Sequence, residues 1–517
     1  MKKLLSFVLA MSMLLSLTLA VTAQAEEKVT LKVIVTPNIP TKDVNTIAYL
    51  QEMADKANVT IEWEPITSGY SELKSVMLAS ADLPDILLGT GSVAESDFAQ
   101  FPDLFADMTE LLQYAPNVEK MFEEKPEIQK MVTTLDGKIY GLSKYQRYWP
   151  SNMTRQMINK TWLDRLGLAA PTTWDELYNV LLAFKEQDAN GNGDPNDEVP
   201  MDWAPGISGF HVDSMLAGAG VPVSMYQGGG YYVQDGVVKN FFVAPEYKQF
   251  IEFLNKCFNA GLINANVFTQ DYTSFQNLSR SGVVGFTFGW DILDRMGPTL
   301  ADQYITIAPL KPTADYAGPV LWENDYYLMN YAYPMVAISA NSQHKEAAMR
   351  FVDLFYDPYY GMQTLFGSIG ECIQDNGDGS YTVLPPADPT IDPGTWKWIN
   401  ALADFSPMYI SDSLKLTLPS DMQKINELDQ VYQDGLALYG QDDLWPGPFM
   451  KYTSEQSTDL SNYNLDIRNI ISNKMATWVT MGGVDTEWDS YVKDLNSAGL
   501  PDAITIYQDV YNLFAGK

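Results

Sequence analysis

The run Asp188-Ala189-Asn190-Gly191-Asn192-Gly193-Asp194-Pro195-Asn196-Asp197-Glu198 places oxygen-bearing side chains at loop positions 1, 3 and 5 and a glycine at position 6. Position 7 offers a backbone carbonyl whatever its side chain, and two carboxylates close the run. That spacing lets a short loop curl round one hard cation with six or more oxygens, which suits Ca²⁺ better than Mg²⁺. The pattern departs from an EF-hand loop at position 12, where Val199 stands in place of a bidentate Glu, so Asp197 and Glu198 become the closing acids. The competing reading is a solvated turn, because Asp, Asn and Gly dominate turns for reasons of their own. So many donors at alternate positions would repel one another without a cation. Asp188, Asn190, Asn192, Asp194, Asp197 and Glu198 are therefore the expected ligands of a structural Ca²⁺.

A loop of this kind needs a rigid mount. Thr173, with Glu176 three residues on, forms a capping-box pattern. Leu177, Val180, Leu181 and Phe184 then recur at helical spacing, which hangs the loop on the end of an amphipathic helix. The phrase Ile158-Asn159-Lys160-Thr161-Trp162-Leu163-Asp164-Arg165-Leu166-Gly167-Leu168, followed by Pro171-Thr172-Thr173-Trp174-Asp175-Glu176 and a loop ending Asp197-Glu198-Val199-Pro200, resembles extracellular solute-binding proteins of bacterial ABC importers. Within that family 1 the chain is similar to the large carbohydrate-binding branch that includes alginate-binding and lipoprotein-type sugar-binding proteins.

The resemblance implies an α/β, two-lobed periplasmic-binding-protein-like (type II) fold with hinge crossings and a helical C-terminal extension. It divides the chain into residues 26–146 plus about 309–345 for the first lobe and 147–308 plus about 346–517 for the second. Its partners would be an oligosaccharide and the transmembrane subunits of a permease. A monomer that binds no nucleic acid is expected.

Composition supports export. Met1-Lys2-Lys3, the apolar run Leu4 to Val21 and Ala23-Gln24-Ala25 read as a signal peptide cleaved after residue 25. Ser6, Ser12, Ser16 and Thr18 weaken the same run as a retained anchor, and no cysteine stands near the cleavage site to carry a lipid. The formal charge of −32 becomes −34 once Lys2 and Lys3 are removed, which disfavours nucleic acid and anionic membrane as partners. Cys257 and Cys372 are the two cysteines, either paired or buried as free thiols.

Along the chain, alternating Val29, Leu31, Val33 and Val35, then Ile47, Leu50 and Ala54, then Val59, Ile61 and Trp63 spell strand, helix, strand. Leu73, Val76 and Met77 add a helix, and Asp82-Leu83-Pro84-Asp85-Ile86 leads into a third strand, the βαβ rhythm of a parallel sheet. Open sheets of this kind bind ligands beyond the carboxyl ends of their strands. Asp136-Gly137 reads as a hairpin turn, Ile305 to Leu310 as a strand crossing back to the first lobe, and Ser342 as the cap of a helix carrying Ala347, Phe351 and Leu354. Asp375 to Tyr381 reads as a hairpin, and Trp488, Tyr491, Val492 and Leu495 as the final helix. Trp396 and Trp398 fall in a region whose helices, by resemblance, pack on the second lobe.

Sugars present flat C–H faces and a rim of hydroxyls, so their sites need aromatic plates edged by hydrogen-bonding groups. The ligand candidates are Trp290, Tyr145, Gln146, Arg147, Trp149, Asn38, Ser92, Trp322, Tyr326 and Trp203. Relatives place an aromatic at the Trp290 position on sugar; for any single aromatic, core packing is the competing reading. Lys144 and Arg147 are the candidate bases for a uronate ligand. No His-Glu-x-x-His, Gly-x-Ser-x-Gly, Walker or Cys-x-x-Cys pattern surrounds His211, His344 or any other residue, so no enzyme is expected. The 65 acids leave room for a carboxylate pair, which makes a secreted calcium-stabilised glycoside hydrolase the principal rival and an oligopeptide receptor the second.

Overall fold

The computed structural model describes residues 28–194, 196–204, 206, 210–224, 229–391 and 393–517. The signal-peptide reading falls on residues outside that set. Among the described residues fifteen strands follow in chain order: β1 (Val29–Val35), β2 (Val59–Pro65), β3 (Ile86–Leu88), β4 (Gly141–Tyr145) and β5 (Arg155–Asn159). Next come β6 (Val199–Met201), β7 (Tyr231–Gln234), β8 (Val237–Asn240), β9 (Val284–Gly289) and β10 (Tyr304–Thr306). The last are β11 (Tyr331–Ile338), β12 (Ile373–Asp375), β13 (Ser380–Val383), β14 (Met408–Tyr409) and β15 (Lys415–Thr417).

Two sheets define two lobes. The first has the order β14-β4-β11-β3-β1-β2, with β1 parallel to β2 and β3 and with β11 antiparallel to both β3 and β4. Leu31, Val33 and Val35 point into one core and Ile34 into another, so helices cover both faces. That is why the alternation in β1 gives way to unbroken burial at its end. The second sheet has the order β10-β5-β9-β6. Its core takes in the helix Trp174–Glu186 through Leu177, Val180, Leu181 and Phe184, and the helix Pro245–Asn259 through Phe250 and Leu254. Helices Ser454–Met481, Val484–Ser497 and Leu500–Ala515 close over that core.

The division of the chain differs from expectation. Ala347, Phe351, Phe355, Tyr360, Leu402 and Tyr409 belong to the first core, although residues from 346 onward were expected in the second lobe. Ile307, Leu310, Leu321 and Trp322 belong to the second core, and β10 pairs with β5, so residues 305–310 do not cross back. The chain crosses later, through residues 326–330 into β11. The other crossings are residues 146–154, between β4 and β5, and the stretch after β14. The first two passages are laced together, Gln146 N–H donating to Asn330 O at 3.0 Å and Asp325 N–H to Ser151 O at 2.6 Å, while Ile410 N–H, at the start of the third, donates to the end of β4 at Tyr145 O (3.0 Å).

Smaller readings also change. The Asp136-Gly137 turn joins the helix Pro126–Val132 to β4, with no strand before it. Ser342 accepts from His344 N–H and stands two residues before His344, the N-cap of the helix Lys345–Asp353. The helix Val484–Ser497 is followed by one more, Leu500–Ala515, started by Pro501 in its first turn. β12 and β13 form the expected hairpin. Both cysteines are buried and free.

Candidate functional site

Between the lobes lies a cleft of about 1040 Å³. Its first-lobe wall is built from Lys144 at the end of β4, the helix Pro393–Asn400 with Trp396, Lys397 and Trp398, and Asp404 just beyond. The second-lobe wall is built from Trp290 and Asp291, which leave the carboxyl end of β9, with Tyr272 and Phe210 beside them. Trp149, on the first crossing, sits where the walls meet.

Asp404 is the hub of the first wall. Its Oδ2 accepts from Lys397 Nζ at 2.7 Å and from Trp398 Nε1 at 3.2 Å. Its Oδ1 accepts from Trp149 Nε1 at 3.1 Å and, at the limit of a hydrogen bond, from Gln146 Nε2 at 3.5 Å. Lys144 Nζ donates to the Asp404 backbone carbonyl at 3.2 Å. Burial opposes ionisation of this carboxyl, but the Lys397 and Lys144 ammonium groups outweigh it and hold Asp404 well below the usual carboxylate range. Burial in turn pushes the Lys144 ammonium down, only partly offset by Asp404.

The second wall is organised by a stack. The Arg155 guanidinium lies 5.1 Å from the Trp290 ring centroid and donates to the Trp290 carbonyl. Its other side faces Asp429, with Nε 2.8 Å from Oδ1 and Nη2 donating to Oδ2 at 2.9 Å. Burial raises the Asp429 carboxyl despite that partner. Trp149 meets Trp290 edge-on, with centroids 5.4 Å apart and planes at 86°, and the Lys397 ammonium sits 4.4 Å from the Trp149 ring. The result is two half-exposed tryptophan rings fixed at right angles above a charged rim.

Of the ten ligand candidates, Trp290 and Trp149 line the cleft, and Gln146 is buried behind Asp404. Tyr145 is a core residue, packed against Tyr331 at 4.9 Å and Tyr409 at 5.9 Å at the base of the crossings. Trp322 is sealed in the second core, stacked on Tyr432 at 4.5 Å with Nε1 donating to Thr154 O. Trp203 lies in the same core, against Phe268 and His211. Arg147 reaches away to Leu414 O at 2.8 Å, and the Asn38 Oδ1 accepts from Ile39 N–H. Ser92 is fully buried, and Tyr326 packs on Tyr327 and Tyr331 beside the second crossing. The strongest missed residues are Asp404, Lys397, Trp396, Trp398 and Arg155. The aromatic–base–aromatic triplet 396–398 and a lone arginine in an otherwise buried-type strand were the available signals.

The acidic loop follows the helix Trp174–Glu186, as its cap predicts. Thr173 Oγ1 accepts from Glu176 N–H at 3.1 Å, while the Glu176 carboxylate reaches Thr172 N–H at 2.7 Å rather than Thr173. Gly193 has φ +92° and donates to Asp188 Oδ2 at 2.9 Å; the Asn190 and Asn192 amides donate to the two oxygens of Asp197. Asn192 Oδ1 accepts from Asp194 N–H, and Glu198 Oε1 from Asn190 N–H. Asp188 Oδ1 and Glu198 Oε2 are buried with no partner. Among the described residues no three His, Cys, Asp or Glu groups converge as a metal cluster, so a cation here would draw on amide and main-chain oxygens as well. Two orphaned carboxylate oxygens in an all-oxygen loop fit a hard cation.

Residues 43–361 match the model of the bacterial extracellular solute-binding protein family. The chain belongs to that family. Over 96% of this chain and 92% of the relative it is 27% identical to FusA, the fructooligosaccharide ABC transporter substrate-binding protein of Streptococcus pneumoniae. Among solved structures, an HMO-binding, ABC-transporter-associated solute-binding protein from Bifidobacterium longum infantis superposes with a TM-score of 0.86 at 30% identity, covering 95% of this chain and 99% of that one. FusA in complex with kestose gives 0.83 at 26% identity over 94% and 100%, and its EF-hand mutant with fructo-nystose gives 0.82 at 25% over the same shares. These likenesses extend across both lobes and the C-terminal helices.

Proposed function

We propose that this chain is the substrate-binding component of an ABC importer, capturing an oligosaccharide between its lobes and passing it unaltered to a membrane permease. The observation that carries this reading is the pair of orthogonal tryptophans, Trp149 and Trp290, above a rim of Asp404 and Lys397 in a cleft whose walls come from different lobes. Aromatic faces take the C–H planes of a sugar, and the carboxylate and ammonium take its hydroxyls. Contacts to both walls are complete only when the lobes are shut, so ligand shifts the population to the closed form. FusA, with its fructooligosaccharides, supports the ligand class. Export with signal-peptide cleavage, no lipid on an N-terminal cysteine and a monomeric state belong to the same reading. Among the described residues no helix is long and apolar enough to cross a membrane.

The same proposal gives the loop Asp188–Glu198 a structural Ca²⁺. Asp188, Asn190, Asn192, Asp194, Asp197 and Glu198 would hold it, and its charge would satisfy the orphaned Asp188 and Glu198 oxygens. The loop lies outside the cleft lining, so its role is stability of the second lobe. The relative's EF-hand supports this reading.

A thermal-shift screen against neutral and acidic oligosaccharides, followed by calorimetry, tests the function. One-to-one binding with no new reducing ends is the expected result; turnover would establish the hydrolase instead. Chelation should lower the Tm by several degrees and leave binding stoichiometry at one, and an unmoved melting curve would remove the calcium.

A further inference from the structure

The cleft carries an electrostatic signature that narrows the ligand class, and the argument rests on the oligosaccharide reading above. Three lysines line the cavity: Lys144, Lys397 and Lys424. The lining sets five carboxylates against them: Asp291, Asp294, Asp302, Asp404 and Glu427. Lys144 and Lys397 share Asp404, at 3.2 Å through its carbonyl and 2.7 Å through its carboxylate. Lys424 and Glu427 stand three residues apart on the exposed face of the helix Ser420–Leu428, where such positions are neighbours. Asp291, Asp294 and Asp302 then line the second-lobe side with no Lys or Arg among the lining residues there.

Three cations stand behind that wall: Arg155 and Arg280 are held by oxygens, whereas Arg295 donates through Nη2 to Tyr272 Oη at 3.3 Å and its Nε and Nη1 have no partner. Arg155 is clamped by Asp429. Arg295 is fully buried under Phe275, Tyr272 and Phe210, with its guanidinium 4.1 Å from the Phe275 ring, and it faces the field of Asp202. Arg280 donates to the Asp294 carbonyl at 2.8 Å. The undescribed residues after position 27 include no Lys or Arg.

We infer that the cleft selects an uncharged oligosaccharide and rejects uronates, because its lining sets five carboxylates against three ammonium groups, and that Asp404 sharpens this preference by holding both first-wall lysines. A neutral sugar offers hydroxyl donors to the acids and loses little on desolvation. A uronate would bring like charge into a half-enclosed space that already holds more acids than bases, where repulsion at contact distance is several times stronger than in bulk water. The two first-wall bases that would welcome a uronate are both drawn to Asp404, Lys397 by its carboxylate and Lys144 by its carbonyl.

The test uses the full mature chain. Calorimetry is run on neutral tri- and tetrasaccharides, kestose included, on oligogalacturonates of the same lengths, and on each neutral binder after oxidation of its primary hydroxyls to carboxylates. The expected result is binding by neutral members and at least about a tenfold loss on oxidation. A carboxylated ligand that binds as tightly as its neutral parent overturns the charge inference and leaves the oligosaccharide reading standing. If no glycan of either kind binds, both fall together. Asp404→Asn, checked for folding by its melting curve, should weaken the neutral ligand and shift the carboxylate-to-neutral affinity ratio about tenfold toward carboxylate. Lys397→Gln provides the opposite displacement and serves if the first variant does not fold. A ratio that stays put in the folded variant removes Asp404 from the role.

Discussion

The two walls of the cleft solve the same problem by different means. On the first-lobe side, polar groups converge on one carboxylate, so Lys397, Trp398, Trp149 and Gln146 are aligned by donating to Asp404. On the second-lobe side a single aromatic plate, Trp290, is braced from behind by the Arg155–Asp429 pair. The first wall is a network whose members share a load; the second is a column in which each part depends on the one beneath. A network tolerates loss of one donor, whereas a column does not. Both walls offer aromatic rings, and they differ in how the polar groups behind those rings are tied together.

That contrast orders the expected effects. Arg155→Met breaks the column at its base and leaves Asp429 buried without a counter-charge, at a cost of roughly 3–5 kcal/mol in urea unfolding. Adding Asp429→Leu should restore most of the stability while ligand affinity stays low, because the brace under Trp290 is still missing. Recovery of affinity in the double variant would show that Trp290 needs no brace. Trp290→Ala removes the plate alone and should weaken binding by about 2–3 kcal/mol, read by calorimetry, with the Tm nearly unchanged. Trp398→Phe removes one of several donors from Asp404 and should cost about 1 kcal/mol of affinity or less. A larger loss would make the first wall a column too.

The smallest effect is an absence. Asp404 is held below its ordinary range, so its contribution to stability and binding is full above the unfolded value near pH 4 and is lost only as pH falls further, through the lowered folded value. Asp404 should therefore add no pH dependence to affinity between pH 8 and pH 5. A titration in that window that disappears in Asp404→Asn would mean the two lysines do not govern this carboxyl.

Much of the scaffold was legible because local signals and tertiary outcome agree. The alternation in β1, the Thr173 cap and the helical spacing of Leu177, Val180, Leu181 and Phe184 each act within a few residues, and each is found where it was read. Trp290, picked out by the family resemblance at the carboxyl end of a strand, does line the cleft. The aromatic candidates failed where a ring had a better partner in a core: Trp322 stacks on Tyr432 and Tyr145 on Tyr331, contacts set by residues more than 100 positions away. Asp404 was invisible for a related reason: Lys397 and Trp398 stand close before it without forming a recognised motif, and Trp149 and Gln146 reach it from distant positions in the chain. The lobe boundary slipped because an amphipathic helix such as Lys345–Asp353 shows that it packs, and not on which sheet.

The laced passages between the lobes have a mechanical consequence. A single linker leaves two bodies free to swivel and twist, but neighbouring linkers bonded edge to edge, as Gln146 is to Asn330, resist torsion and leave bending as the soft motion. The molecule should open as a book opens along its spine, so its shut form presents one reproducible outline for a docking partner to read.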